Sequence, residues 1–392
     1  MKQNCLSCGA SLPNTPLLYL NDMPASAQNF PEKEQLKNEK TISLKLKQCK
    51  MCGLVQFDCN AVDYYKDVIR SGGFSSTMYN LRKNQYTHLI NTYNLQNKKF
   101  IEIGCGGGEF LSILTEFPVK VFGIEHNSSL VDVAVSRGLN VTQNFLEKPT
   151  NILEDGPFDV FLSFNFLEHQ PNPNGMLQAI YNNLTDDGMG LITVPSFEYI
   201  MEHNSFYELI RDHLAYYTFD TLRFLLEKNG FTILEQQIVN RDTISVIVKK
   251  KPMLDVSNLT RNHYDIQTQL NNYIDSKINE NKTVAIWGAS HQCLTLTTTA
   301  KLREKIRYII DSAPFKQGKF TPGSHIPIIS PDDAIINPVD VIIIIAPGYT
   351  NEIADIIRTK IGENIEIAVI MSKSLQMYED IKNVNNNNDR SN

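Results

Sequence analysis

No apolar run in the 392-residue sequence is longer than the stretch from Val341 to Ala346. A membrane span needs ~18 apolar residues, so no membrane partner is expected. An apolar signal core is missing too. Lys2 is followed by Asn4, Cys5, Ser7 and Cys8, and a cytoplasmic location is the expectation. Positive charge is in short supply: 37 Lys and Arg against 43 Asp and Glu leave a net charge of −6. A chain that grips nucleic acid by neutralising phosphates would have a domain pI above ~9, so that partner class is excluded. Glycine (20) and proline (17) are too few for a disordered chain. What remains is an ordinary globular composition, 42% hydrophobic and 20% charged. At ~150 residues per domain, it predicts two or three domains.

Cysteine is sparse but patterned. Four of the seven form two C-x-x-C pairs, Cys5/Cys8 and Cys49/Cys52, each followed by glycine. Such a turn aims two thiolates at one tetrahedral centre, and two turns complete a closed four-thiolate zinc site of structural type. The intervening segment is longer than in a simple zinc ribbon, so a folded insert must bring the pairs together. A redox pair is the alternative. Cys59, Cys105 and Cys293 read as plain small side chains.

The rest of the chain gives boundaries. Residues 1–80 are short-period and loop-rich, with an alternating strand at Thr41 to Gln48. A helix is predicted near Met78 to Tyr93. Strand–helix units then repeat: strands at Lys99–Ile103, Lys120–Ile124, Phe158–Phe164 and Met189–Val194, with helices at Glu109–Phe117, Ser128–Arg137 and Met176–Leu184. Alternation of this kind implies a parallel sheet covered on both faces. After an irregular stretch come a helix at Phe219–Asn229 and two strands, Phe231–Val239 and Thr243–Lys250. Lys249-Lys-Lys-Pro252 marks a boundary. A helical connector leads to a second α/β unit, with strands at Thr283–Trp287, Tyr308–Ile310 and Val341–Ile345 and a helix near Asn351–Lys360. The domains are therefore expected at 1–80, 81–250 and 251–382, with a disordered polar tail at 383–392.

Glu102-Ile-Gly-Cys-Gly-Gly-Gly-Glu109 follows a strand and opens a helix. Gly104, Gly106 and Gly108 let the backbone approach a ligand closely. Glu109 stands where the dinucleotide fingerprint needs its third glycine, so this is not that motif. Glu125 ends the next strand, where a carboxylate can accept both ribose hydroxyls of an adenosine. The loop, Gly123-Ile-Glu125 and Asn165-Phe-Leu-Glu-His169 together resemble the class I S-adenosylmethionine methyltransferases. That resemblance implies an α/β, Rossmann-like seven-stranded sheet and S-adenosylmethionine as cofactor. It puts Glu102, Gly104, Gly106, Gly108, Glu125, His126, Asn144 and Asn165 on the cofactor side.

The order of zinc knuckles, methyltransferase sheet and second α/β domain resembles the three-domain sugar C-methyltransferases of deoxysugar pathways, the tetronitrose C-3-methyltransferase type. Gly288-Ala-Ser-His291, Asp311 and Lys316 to Pro327 carry the likeness into the C-terminal domain, which is then Rossmann-like too. The resemblance implies a structural Zn2+ on Cys5, Cys8, Cys49 and Cys52. It further implies a small-molecule substrate, a nucleotide-linked ketosugar, methylated on a ring carbon after a base removes the proton beside the ketone.

One stretch departs. The family pattern Tyr-His-Glu-His is Ile210-Arg-Asp-His213 here. His213 is retained as the candidate base, since imidazole titrates near neutral pH. Asp212 is its neighbour, Tyr207 and Arg211 are candidate donors to the carbonyl oxygen, and His169 is a further acceptor-side candidate. Arg70 and Arg211 suggest a substrate with extra negative charge. His291, Lys316 and Lys319 are candidates for a sugar-nucleotide diphosphate. Because the Tyr-His is missing, an O- or N-methyltransferase on a sugar nucleotide or other small metabolite is the rival reading. The oligomeric state is not legible.

Overall fold

A computed structural model describes residues 3–28, 30–67 and 75–382. The chain folds as two compact units that meet at Met253 and Leu254 in sequence. Arg70 and the tail 383–392 lie outside the described residues.

The first unit carries eleven strands among its described residues: β1 (Leu18–Met23), β2 (Ile42–Gln48), β3 (Val55–Phe57), β4 (Lys99–Ile103), β5 (Lys120–Glu125), β6 (Val141–Gln143), β7 (Phe158–Phe164), β8 (Leu184–Pro195), β9 (Ala215–Tyr216), β10 (Phe231–Val239) and β11 (Thr243–Lys250). Seven form one sheet in the order β10-β11-β8-β7-β4-β5-β6. Its inner strands are parallel, and only the β11 and β10 edge runs antiparallel. A parallel strand is covered on both faces, so it needs apolar residues without alternation. Phe100, Ile101 and Ile103 of β4 are all buried, and each contributes about 1.5–3 kcal/mol by leaving water. From β4 the chain moves outward to β5 on one side and later to β7 on the other. The crevice above this reversal, at the carboxyl ends of the strands, is where open α/β sheets bind ligands.

A second, four-stranded sheet has the order β1-β2-β3-β9. Its first three strands come from the Cys-rich segment. β9 comes from the stretch read as irregular. Isolated from its partner, a two-residue strand has no sequence signal; here Val55 and Gln56 supply the ladder. The same stretch holds a short helix, Phe197–His203, whose first turn is capped by Ser196 Oγ accepting from Tyr199 N–H at 3.2 Å. The helix expected from Met176 begins earlier, at Pro173, because Asn172 caps it and proline is tolerated at its first turn.

The second unit opens with a helix, Ser257–Asn279, and has six strands among its described residues: β12 (Val284–Trp287), β13 (Ile309–Ile310), β14 (Ile328–Ile329), β15 (Val341–Ile344), β16 (Glu366–Met371) and β17 (Ser374–Met377). Their order is β14-β13-β12-β15-β16-β17, parallel except for β17. Val341, Ile342, Ile343 and Ile344 are fully buried in it. The helix expected to reach Lys360 is α-helical only over Thr350–Ile356, then widens to a π turn. Among the described residues, no helix is long and apolar enough to cross a membrane.

Candidate active site

The two Cys turns are copies of each other. Gly9 N–H donates to Cys5 C=O at 3.0 Å, and Gly53 N–H to Cys49 C=O at 2.9 Å. Both glycines have φ near +80°, where a side chain would be strained. The turns face each other: Cys5 Sγ lies 3.5 Å from Cys52 Sγ, and Cys8 Sγ 3.4 Å from Cys49 Sγ. All four sulfurs lie within 4.8 Å of one another. Tetrahedral Zn–S bonds of ~2.3 Å would set sulfurs ~3.8 Å apart, so this donor set fits a four-thiolate ion.

A cleft of about 680 Å³ opens at the carboxyl ends of β4, β5 and β7. The glycine loop forms one wall. Gly104, Gly106 and Gly107 line it, while Gly108 caps the helix Glu109–Leu114 in a left-handed conformation. A Cβ on Gly108 would stand 2.2 Å from Leu139 Cδ1, so only glycine lets this helix close on its neighbour. Glu125 is buried at the end of β5 and lines the cleft. Its Oε2 accepts from Gly106 N–H at 3.0 Å and its Oε1 from Asn127 N–H at 2.9 Å. One lone pair on each oxygen is thereby used, and the carboxylate pins the loop while still facing the cleft. His126, Asn144 and Asn165 also line it. His126 Nδ1 is 3.0 Å from Asp67 Oδ1, Asn144 Oδ1 accepts from Phe145 N–H, and Asn165 Oδ1 accepts from Thr193 Oγ1. Glu102 is fully buried in β4 and is not part of the lining. An adenosine with a charged amino-acid arm suits this wall: a carboxylate at the strand end, backbone N–H groups at a helix start, and a loop that faces the cleft with glycines while Cys105 is buried behind them.

The opposite wall is built by Glu168, His169, Asp212 and His213. Glu168 and His169 share a 3-10 turn, Leu167–His169, directly after β7. His213 precedes β9 and is held by backbone bonds of its neighbours: Leu214 N–H donates to Glu168 C=O at 2.8 Å, and Phe57 N–H to Leu214 C=O at 3.0 Å. The two imidazoles meet edge to face with centroids 4.7 Å apart. Burial pulls His169 down to about 4, against the raising effect of its bond to the Asp212 carbonyl, and burial with the neighbouring His169 holds His213 well below the ordinary range. Burial thus favours the neutral form of both rings. Burial also pushes Glu168 up to about 8.

The remaining candidates fall in different places. Asp212 is buried, with Oδ1 accepting from Tyr64 O–H at 2.5 Å and Oδ2 from Ala27 N–H at 2.9 Å. It ties the Cys-rich segment, whose Ala27, Gln28 and Lys66 line the cleft, to the histidine wall. Tyr207 is 69% exposed and does not line the cleft. Arg211 points its Nη1 at Cys59 Sγ, 3.5 Å away, and is likewise not in the lining. In the second unit, Lys316 Nζ pairs with Asp311 Oδ2 at 2.9 Å, while His291 and Lys319 are exposed. Sequence reasoning missed Glu168, although it sits inside the quoted Asn165–His169 stretch, and missed Arg82 and Tyr199, which also line the cleft.

Two family models match this chain in turn. Residues 79–236 match the methyltransferase domain family, and residues 252–369 match the C-methyltransferase C-terminal domain family. The chain is 23% identical over 284 residues to the C-methyltransferase NovU of Streptomyces niveus, covering 65% of this chain and 68% of that one. It is 31% identical over 112 residues to the ubiquinone biosynthesis O-methyltransferase of Glaesserella parasuis serovar 5 (strain SH0165), covering 26% of this chain and under half, 47%, of that relative. Among solved structures, an S-adenosylmethionine-dependent methyltransferase from Clostridium acetobutylicum ATCC 824 aligns with a TM-score of 0.37 and 14% identity, over 44% of this chain and 92% of that one. With the glycine loop and Glu125 in one cleft of a class I methyltransferase sheet, the protein is an S-adenosylmethionine-dependent methyltransferase.

Proposed function

We propose that the enzyme transfers its methyl group to a ring carbon of a nucleotide-linked ketosugar, with His213 as the base. The observation that carries this reading is the edge-to-face pair of imidazoles, buried His169 and half-buried His213, that lines the same cleft as the glycine loop. Carbon methylation beside a ketone needs a neutral base at the acidic C–H. The bound cofactor would supply the electrophilic methyl. The chain's own part is to hold the ketosugar between the walls, to exclude water, and to take the C–H proton on the His213 ring. The match to a C-methyltransferase C-terminal domain and the likeness to NovU support carbon as the acceptor. On the same reading, the four thiolates hold one structural zinc that keeps the β1-β2-β3 segment, and through β9 the His213 backbone, in place.

The O- or N-methyltransferase alternative is favoured by one observation, the 31% identity to a ubiquinone biosynthesis O-methyltransferase within the methyltransferase region. Incubation with labelled cofactor and a panel of sugar nucleotides, read by mass spectrometry and NMR, decides between them. A new methyl on carbon, and loss of the substrate's C–H to solvent deuterium without cofactor, is expected. A methyl on oxygen or nitrogen replaces this reading with the alternative.

A further inference from the structure

Glu168 is an anomaly of the cleft. It is buried, and neither carboxylate oxygen has a hydrogen-bond partner among the described residues. Leaving a buried carboxyl in that state is costly, so the site calls for a partner. An acceptor-capable ring nitrogen is close by: His169 Nε2 stands 3.8 Å from Glu168 Oε1. His169 Nδ1 is already engaged with the Asp212 carbonyl at 2.9 Å. A neutral imidazole bonded in this way donates from Nδ1 and turns its Nε2 lone pair toward Glu168. His213 adds a second lone pair, and its ring nitrogens have no hydrogen bond among the described residues. One donor atom from each of Glu168, His169 and His213 lies within 4.8 Å of the others.

A buried carboxyl without a partner and two imidazoles, with one donor atom of each within 4.8 Å of the others, have the geometry of a cation site, and an ion there would take the place of the proton that burial favours on Glu168. We propose that Glu168, His169 and His213 bind one divalent transition-metal ion of the zinc class, at a site separate from the four-thiolate knuckles. Two imidazoles and one carboxylate are the donor set such ions take when they keep a coordination position open. The bond from His169 Nδ1 to a backbone carbonyl is the outer contact that fixes a ligating imidazole in its tautomer. Bonds of ~2.0–2.1 Å need donors ~3.3 Å apart, so binding would draw together side chains whose donor atoms now lie within 4.8 Å of one another. The cleft gives the ion a path from solvent.

A lone pair on His213 that holds a metal cannot also accept a proton. Metal occupancy and base catalysis therefore exclude each other, a competition that rests on the base role proposed above, whereas the site itself does not. The ion acts as an inhibitor.

The test uses the full-length protein with its knuckles loaded with zinc, titrated with cobalt(II) alone and followed by absorption and calorimetry. One further equivalent per chain is expected, with the weak ligand-field bands of nitrogen and oxygen donors and no thiolate charge-transfer band. E168Q, an isosteric change, and H213Q should each lose that equivalent while circular dichroism and zinc content stay unchanged. No uptake, uptake with thiolate bands, or uptake retained in both variants overturns the site. Substrate deuterium exchange should stop when cobalt fills the site. Exchange that continues at full occupancy overturns the competition and, with it, the base role of His213. Failure to bind cobalt leaves the base role standing.

Discussion

The two units repeat one device with different outcomes. In each, an acidic residue ends the second strand beside the first strand–helix loop. Glu125 accepts from Gly106 and Asn127 N–H groups at 3.0 and 2.9 Å. Asp311 accepts from Ala289 and Ala313 N–H groups at 2.8 and 2.9 Å. In the first unit nothing cationic neutralises the carboxylate among the described residues, and it faces a cleft of about 680 Å³. In the second, Lys316 Nζ reaches Asp311 Oδ2 at 2.9 Å and closes the charge internally. The backbone bonds are the same; the extra lysine turns a ligand acceptor into a brace. A carboxylate at a strand end is thus a cofactor signal only while its charge is left for the ligand.

The largest expected effect separates the units by chemistry. H213N should keep cofactor binding and lower turnover by about 10²–10⁴, the usual worth of a general base. H291A, in the second unit and outside the cleft lining, should leave kcat alone. Steady-state kinetics on both variants check this, and a kcat loss in H291A would erase the contrast. Next comes the Cys-rich segment. C49S breaks the four-thiolate set, and metal binding is coupled to folding in such sites. Hydrogen exchange should rise across β1, β2 and β3 and spread to β9, while β4, β7 and the second unit stay protected. Metal analysis of the wild type should find a zinc that C49S lacks.

The carboxylates themselves come third. E125A should weaken binding of S-adenosylhomocysteine by about 1–3 kcal/mol in calorimetry. D311A should leave that binding unchanged and lower the unfolding temperature of the second unit, because two N–H groups and a lysine lose their partner. Equal effects on cofactor affinity would mean the brace reading of Asp311 is wrong. The smallest effect is a pH response. Burial raises Glu235 and Glu366, yet bonds from Tyr93 and His88 to the first, and from Lys277 and Tyr273 to the second, bring both below the usual range. A carboxyl lowered on folding adds stability above its unfolded value and loses it as pH falls through the carboxylate range. Thermal unfolding at pH 7 and pH 4 should show E235Q and E366Q each reducing the acid sensitivity of its own unit.

Much of this was legible locally. The knuckles, the glycine loop and Glu125 are short-range patterns, because each functional group sits within a few residues of the turn that aims it. The parallel sheet was legible from strand–helix alternation and from uninterrupted apolar strands such as Val341–Ile344. The sites where reading by neighbourhood fell short are those where the sequence neighbour is not the spatial one. Tyr207 and Arg211 stand close to His213 in sequence, yet Tyr207 faces solvent and Arg211 faces Cys59. Asp212, read as a partner of the His213 ring, instead spends its oxygens on Tyr64 and Ala27. Glu168 passed unnoticed because a carboxylate's burial is invisible in its neighbours' identities.

The sequence by itself determined the cofactor wall, since a glycine loop and a strand-end carboxylate need only one strand–turn–helix unit to form. It determined the pairing of two Cys turns, since four thiolates share one preferred geometry. The acceptor wall was decided by tertiary structure alone. β9 has two residues and exists only because β3, more than 150 positions earlier, offers it a ladder. That pairing sets His213 against His169 and Glu168, and long-range pairing leaves no periodic trace in the strand that receives it.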